Sequence, residues 1–176
     1  MQFIGNHTTG KATTLFKALL DEQLDLAPMQ WVRIAIDISM SISIIHEKGF
    51  LHNDLKEDNI LMDVLPDRIH ARLVDLGSLS LQSFPIFRRF TDGQKVKYKN
   101  GDIFQHIAPE CAYWGAPTSV DSDVFQLGRI TENIGYTCGI AGLKRLGGLC
   151  KQANPKKRPS IDEVLKILHY LLYSLW

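Results

Sequence analysis

The sequence predicts one mainly α-helical domain that carries a few short β-strands. The chain has 176 residues, of which 45% are hydrophobic, and this is enough to bury one core of ordinary size. A long apolar stretch with helical periodicity lies in its first third, and three shorter apolar runs follow, each bounded by polar turns. These observations favour helices packed around a single core with small sheets beside them.

Charge and cysteine usage exclude several classes of protein. Lys and Arg number 20 against 19 acidic residues, so the overall charge favours neither nucleic acid nor a membrane surface as partner. No stretch approaches the ~18 apolar residues of a membrane span, and residues 1–10 lack a signal-peptide pattern. Cys111, Cys138 and Cys150 are odd in number and widely spaced, which indicates reduced thiols. We therefore expect an intracellular, cytoplasmic protein.

Two helices are predicted in the first third of the chain. Apolar residues at helical spacing predict a short amphipathic helix over residues 15–23. Residues 28–48 fit both a strand-like alternation and a helical stripe. Their length exceeds that of a strand, and Pro28 at the first turn with Gly49 after the end favours a buried helix.

Short strands are predicted at residues 50–52, Ile60–Val64 and 71–74. Residues 87–98 predict a hairpin, because Asp92-Gly93 suits a tight turn and apolar residues alternate with lysines after it. This segment, with Lys99 directly after it, holds the main basic concentration, which could bind an acidic substrate or protect an exposed strand edge, and we favour the second role. Its members are Arg88, Arg89, Lys95, Lys97 and Lys99.

The last third of the chain predicts two helices separated by a loop. Residues 123–130 suit a buried helix, and Ser160 with Glu163 forms a capping box ahead of a periodic apolar run. Between them, residues 128–158 contain five glycines after Gly128, and these predict mostly loop. These are Gly135, Gly139, Gly142, Gly147 and Gly148.

One polar loop, residues 52–59, carries the residues that phosphoryl transfer needs. That reaction requires a carboxylate to orient the attacking hydroxyl, a cation on the phosphate and oxygen ligands for magnesium. The loop offers Asp54, Lys56 and Asn59 for these three tasks. A second carboxylate, Asp75, follows an apolar run and precedes Gly77, where a flexible turn can aim it at a metal ion.

Five short sequence blocks follow one another along the chain. They are the loop 52–59, Asp75-Leu76-Gly77, Ala108-Pro109-Glu110, the run 122–128 and Arg158-Pro159. Blocks of this kind in this order are typical of protein kinases. The chain therefore resembles the C-terminal lobe of a eukaryotic-type protein kinase over nearly its whole length. The resemblance implies one kinase-like domain over residues 1–176, with a hinge at 1–5, a catalytic loop at 52–59 and an activation segment at 75–110.

The resemblance also implies roles at the ATP site. Asp54 would be the catalytic base, and Lys56, a residue typical of serine/threonine kinases, would stabilise charge on the γ-phosphate. Asn59 and Asp75 would hold Mg²⁺, and Leu61 would pack beneath the adenine ring of ATP.

Four further residues are implied to have structural roles. His52 would brace the catalytic loop, and Asp123 would hold its backbone. Arg158 would pair with Glu110.

Residues 5–12 raise an alternative, because they nearly fit the phosphate-binding loop of nucleotide hydrolases. Ala12 stands where that loop needs a hydroxyl, and no repeated strand–helix units follow. We favour the kinase alignment, in which Met1 to Ile4 correspond to the gatekeeper and hinge.

Two functions remain open at this point. The Gly-rich loop and the strand lysine with its glutamate partner, which precede these blocks in kinases, are not found in the 176 residues. We expect this chain to bind Mg·ATP weakly or not at all, with a protein covering the surface that faces the absent N-terminal lobe. The chain either transfers phosphate to protein Ser/Thr hydroxyls when completed by that lobe, or is an inactive, pseudokinase-like scaffold.

Two positions depart from the kinase pattern. Asn53 replaces the arginine that clamps a phosphorylated activation segment in many kinases, so a phosphate on Thr91 or Ser83 loses that partner. Asp102 stands where a threonine contacts the catalytic Asp and Lys. Its carboxylate either pairs with Lys56 or points to solvent.

Overall fold

A computed structural model describes residues 12–21, 26–65 and 69–175 of the chain. Most of these residues are helical and the strands are short, as the sequence predicts. The helices are α1 (Leu15–Leu20), α2 (Pro28–Glu47), α3 (Asp92–Lys99), α4 (Pro109–Trp114), α5 (Val120–Thr137), α6 (Ala141–Cys150) and α7 (Ile161–Ser174). The strands are β1 (Thr13–Thr14), β2 (Phe50–Leu51), β3 (Ile60–Val64), β4 (Ile69–Leu73) and β5 (Ser80–Leu81).

Helix α2 lies at the centre of the main core. Its apolar residues recur every three or four positions, so Ile34, Ile38 and Ile42 face one side and are almost fully buried. They pack with apolar residues of α5, α6, α7 and the sheet. Burying each such side chain contributes about 1.5–3 kcal/mol. The predicted buried helix over residues 28–48 is thereby confirmed.

A second, smaller core holds the activation segment against α5. It contains Tyr98 from α3, Ile107, Cys111 from α4 and Phe125 from α5. The segment that leads to the Ala-Pro-Glu block is therefore anchored by apolar packing of its own.

The larger sheet has the antiparallel order β1–β3–β4. Strands β3 and β4 pair from Ile60 with Leu73 to Val64 with Ile69, so β4 begins and ends slightly earlier than the predicted run 71–74. Beyond the paired region, the Val74 N–H donates to the Asn59 carbonyl at 2.9 Å. This bond sets the start of the activation segment beside the end of the catalytic loop.

The predicted hairpin over residues 87–98 is wrong, because Asp92–Lys99 forms the helix α3. Thr91 is its N-cap: the Thr91 hydroxyl accepts from the Gln94 N–H, and the Gln94 side chain accepts from the Thr91 N–H. This capping box starts a helix where Asp92-Gly93 suggested a turn. Tyr98 is the buried residue of α3, and the lysines lie around a helix rather than on one strand face.

The loop predicted for residues 128–158 is also wrong. Helix α5 continues to Thr137, and Ala141–Cys150 forms α6. Four of the glycines there are contact points between helices, namely Gly128, Gly135, Gly142 and Gly147. A Cβ on Gly128 would lie 2.5 Å from the Cys150 Cβ, and one on Gly147 would lie 2.6 Å from the Gly128 carbonyl oxygen. The glycines therefore allow α5 and α6 to approach closely.

This close approach predicts opposite effects for two neighbouring glycines. Gly147→Ala is expected to lower the free energy of unfolding by about 1–3 kcal/mol, because the methyl group would collide with α5. Gly148→Ala is the matched control, since a Cβ there meets no atom within 4 Å. It is expected to raise stability by about 0.5–1 kcal/mol, as alanine is the better helix former. Urea unfolding of both variants checks this, and shifts of the same sign would contradict it.

The N- and C-terminal helices agree with their predictions in part. Helix α7 starts at the predicted capping box of Ser160 and Glu163. Helix α1 ends at Leu20, because Asp21 is its C-cap with an extended backbone, so the predicted helix is wrong at that residue. Residues 22 and 23 of the predicted helix lie outside the described residues, as do the hinge at 1–5 and most of the 5–12 loop. Within the described chain, no helix combines the length and apolarity that crossing a membrane requires.

The three cysteines are free. Burial raises the pKa of the Cys111 thiol to about 11 and that of Cys150 to about 12. Both side chains therefore remain neutral thiols near pH 7.

Candidate active site

The first turn of α5 holds the catalytic loop by its backbone. The Asp123 carboxylate is fully buried and accepts hydrogen bonds from the N–H groups of His52 (2.8 Å) and Asn53 (2.9 Å). One turn later, Gln126 accepts from the Leu55 N–H and donates to the Asn53 carbonyl. Because these two residues share one helix face, α5 fixes the loop at both ends of its first half.

Sequence reasoning did not single out two residues of this arrangement, His46 and Gln126. His46 Nε2 lies 2.9 Å from Asp123 Oδ2. The spacing of Asp123 and Gln126 by three residues on a predicted helix was the available signal for Gln126.

His52 lies at the base of the loop, with its side chain fully buried. Its Nδ1 accepts from the Asp54 N–H at 3.3 Å, and its Nε2 has no hydrogen-bond partner among the residues that the structure describes. Burial lowers the pKa of His52 despite the nearby carboxylates, of which Asp123 acts most strongly. The imidazole is therefore neutral near pH 7.

Asn53 joins the catalytic loop to the activation segment. Its backbone is left-handed (φ 67°), a conformation that asparagine tolerates better than most residues. Its side-chain amide donates to the Ser78 carbonyl at 2.7 Å and to the Ser80 hydroxyl at 3.0 Å. Arg88 of the activation segment donates to the Asn53 carbonyl at 2.8 Å. The two segments are thus tied together without a phosphate.

Asp54 is the centre of the site. Its Oδ2 accepts from Lys56 Nζ at 2.7 Å and from the Asn59 amide at 3.2 Å, and its Oδ1 lies 3.1 Å from His106 Nε2. Burial alone would raise the pKa of Asp54, but hydrogen bonds from His106 and Lys56 hold that pKa well below its usual range. The carboxylate is therefore ionised at neutral and mildly acidic pH. Sequence reasoning missed His106.

Asn59 and Asp75 present oxygen atoms suited to Mg²⁺. The Asn59 amide nitrogen donates to the backbone and side-chain oxygens of Asp54, so the amide oxygen faces the other way. Asp75 is exposed, has a left-handed backbone (φ 59°), and accepts from the Gly77 N–H at 3.3 Å. An amide oxygen and a carboxylate are ligands that Mg²⁺ takes together with water and nucleotide phosphates.

No group of three or more His, Cys, Asp or Glu side chains within residues 12–21, 26–65 and 69–175 could hold a metal ion.

The sequence also pointed to Leu61 and Asp102. Leu61 is half-buried on β3, between Thr14 of β1 and Arg72 of β4. Asp102 is exposed, and Lys56 pairs with Asp54 rather than with Asp102.

Glu110 of α4 and Arg158 form a buried ion pair. Two guanidinium nitrogens of Arg158 donate to the two carboxylate oxygens of Glu110 at 2.6 and 2.7 Å. The same guanidinium donates to the Asp121 and Gln152 carbonyls and lies 5.0 Å from the centre of the Phe125 ring. Arg158 therefore joins α4, α5 and the segment before α7.

Comparison with known proteins agrees with this arrangement. The family model described as protein tyrosine and serine/threonine kinase matches residues 9–141. A probable serine/threonine-protein kinase of Dictyostelium discoideum is 36% identical over 188 aligned residues, which cover 92% of this chain and 29% of that protein. Human kinase suppressor of Ras 2 is 29% identical over 127 residues, covering 68% of this chain and 13% of that protein.

A second probable serine/threonine-protein kinase of Dictyostelium discoideum is 26% identical over 182 residues, covering 86% of this chain and 11% of that protein. The chain thus spans less than a third of the length of each of these relatives. The family match covers well over half of the chain, and it includes the catalytic loop and the Ala-Pro-Glu block. The chain belongs to the protein kinase family.

Proposed function

We propose that this chain is the C-terminal lobe of a serine/threonine protein kinase. When an ATP-holding lobe completes this chain, the kinase transfers the γ-phosphoryl group of ATP to a protein hydroxyl. The observation that carries the proposal is the set of contacts at Asp54. An ionised carboxylate lies within hydrogen-bond distance of the Lys56 ammonium and the Asn59 amide. Phosphoryl transfer needs these three groups close together.

Each residue has a distinct task in this proposal. Asp54 accepts a hydrogen bond from the attacking hydroxyl and orients it towards the phosphorus atom. Lys56 can turn from Asp54 to the transferred phosphoryl group, because its side chain is about one third exposed. Asn59 and Asp75 would hold Mg²⁺, which neutralises charge on the phosphates when bound. Leu61 would pack beneath the adenine.

The depressed pKa of Asp54 bears on the mechanism. A carboxylate so well stabilised in its ionised form is a weak base but a good hydrogen-bond acceptor. Asp54 therefore orients the hydroxyl, whose proton leaves late in the reaction. This agrees with the loose transition state of phosphoryl transfer, which demands little from a base.

The test is a transfer assay on the whole natural protein, including any sequence that its transcript encodes upstream of Met1. With labelled ATP, Mg²⁺ and a generic protein substrate, we expect label on serine and threonine. Asp75→Ala is expected to abolish the transfer. Asp92→Ala, which removes a fully exposed carboxylate of the same segment, is expected to leave it unchanged. Label on tyrosine alone, or no label with the wild-type protein, would overturn the proposal.

Nucleotide binding by the 176-residue chain is a separate measurement. We expect a shift in melting temperature below about 2 °C with millimolar Mg·ATP, because an ATP site that lacks its second lobe gives little binding free energy. A shift of several degrees that Asp75→Ala removes would contradict this expectation.

A scaffold that binds another protein is the second candidate function. The observation that favours it is a group of highly exposed aromatic side chains in and next to the activation segment. They are Phe84 (75% exposed), Phe87 (62%) and Trp114 (71%). Exposed aromatic groups are common in protein interfaces. The transfer assay separates the two candidates, since a scaffold gives no label above the Asp75→Ala background.

A further inference from the structure

His106 touches the candidate catalytic carboxylate from outside the catalytic loop. It lies in the activation segment, two residues before the Ala-Pro-Glu block, and its Nε2 lies 3.1 Å from Asp54 Oδ1. Both side chains are about four fifths buried, so the contact is well shielded from water. A neutral imidazole protonated on Nε2 and an imidazolium can both donate this hydrogen bond.

The turn that carries His106 is fixed on both sides by Tyr98. Before His106, the Gln105 side chain donates to the Tyr98 carbonyl at 2.7 Å. After it, the Tyr98 hydroxyl donates to the Ile107 carbonyl at 2.7 Å. The turn itself is closed by the Ile107 N–H bonding to the Phe104 carbonyl, with Phe104 in a left-handed conformation (φ 52°).

Tyr98 is held firmly in place. It is 8% exposed, and its ring packs against Tyr113 and Phe90 with centroid distances of 5.2 and 6.0 Å. The position of His106 is therefore set by α3 and the second core, not by a freely moving loop.

The donors to the two oxygens of Asp54 come from different parts of the chain. Lys56 and Asn59, which hold Oδ2, belong to the catalytic loop itself. His106, which contacts Oδ1, belongs to the activation segment. A planar carboxylate held at one oxygen can still rotate, whereas donors at both oxygens fix its plane.

We propose that His106 is a positioning residue, which fixes the plane of the Asp54 carboxylate and so makes its orientation depend on the packing of the activation segment. This inference rests on the proposed function. It names an imidazole of the activation segment as the group that prepares Asp54 to receive the acceptor hydroxyl. It also gives α3 a task, because Tyr98 supports the turn on which His106 lies.

The experiment compares three single variants and one double variant in the transfer assay on the whole protein. His106→Leu is expected to lower kcat by about 10- to 100-fold with the KM for ATP unchanged, since misplacement of a reacting group by about 1 Å costs that much. His106→Gln keeps an N–H donor at similar reach and is expected to recover most of kcat. Tyr98→Phe is expected to lower kcat less than His106→Leu, and to add no further loss in the His106→Leu background.

The outcomes separate this inference from the proposed function. If the wild-type protein has no transfer activity, the proposed function is wrong, and the positioning role of His106 is wrong with it. A wild-type protein that is active while His106→Leu keeps its full kcat, or exceeds it, would overturn the inference alone.

A measurement on the 176-residue chain does not need activity. Thermal unfolding of His106→Leu, Asp54→Asn and the double variant tests the contact as a thermodynamic cycle. We expect Asp54→Asn to cost less stability in the His106→Leu background than in the wild type. Additive effects would overturn the contact and the inference.

Discussion

Asp54→Asn is expected to lower the rate of phosphoryl transfer by about 10²- to 10⁴-fold, the range for loss of a positioned acid–base group. The amide preserves the shape of the side chain but replaces one acceptor oxygen with a donor. Lys56 and Asn59 then meet an NH₂ group or a neutral oxygen, and the attacking hydroxyl loses an ionised acceptor. Initial rates of the whole protein at saturating Mg·ATP measure the effect.

The control for this substitution is Asp162→Asn, which changes an exposed carboxylate on the first turn of α7. It is expected to leave the rate unchanged. Circular dichroism of both variants establishes that the fold is retained. If Asp54→Asn retained more than about a tenth of the rate, Asp54 would not have the role that the Lys56 and Asn59 contacts suggest.

Arg158→Met is expected to lower the free energy of unfolding by about 3–5 kcal/mol, because it leaves the buried Glu110 carboxylate without its cation. The methionine roughly preserves the volume of the side chain. It removes the bidentate bond to Glu110 together with the bonds to the Asp121 and Gln152 carbonyls. Chemical denaturation monitored by tryptophan fluorescence measures the loss.

Two comparisons make the Arg158 prediction specific. Lys157→Met alters the neighbouring, exposed cation and is expected to change stability by less than about 0.5 kcal/mol. Adding Glu110→Gln to Arg158→Met is expected to recover part of the loss, since an uncharged amide costs less to bury unpaired than a carboxylate. A double variant no more stable than Arg158→Met would show that the unpaired charge is not the cause.

The catalytic loop shows how far local sequence can predict a site. Asp54, Lys56 and Asn59 lie within six residues of one another, so their proximity is expected from their spacing alone, and the distances agree with it. Helix α7 was equally predictable, because the capping box of Ser160 and Glu163 precedes a clear periodic run. In both cases the deciding interactions join residues close in sequence.

Helix α3 and the glycine-containing helices α5 and α6 show where local patterns mislead. Lysines alternating with apolar residues suggested a strand over 95–99, but the Thr91–Gln94 capping box and the buried Tyr98 favour a helix. Five glycines suggested a loop, but glycine also permits close helix packing. For the glycines, the outcome depends on contacts between α5 and α6, which the pattern within either helix does not show.

The sequence by itself predicted the kinase family through the order of its motif blocks, and it predicted the predominance of helices through periodicity. The closeness of Asp54, Lys56 and Asn59 follows from their short spacing. Only the tertiary structure decided what surrounds Asp54. Three contacts illustrate this: His106 with Asp54, Arg88 with Asn53, and Gln126 with the catalytic loop. They join residues that are 35 to 73 positions apart in the sequence. No local pattern encodes such contacts, since they form only when the second core packs the activation segment against α5 and α5 against the loop.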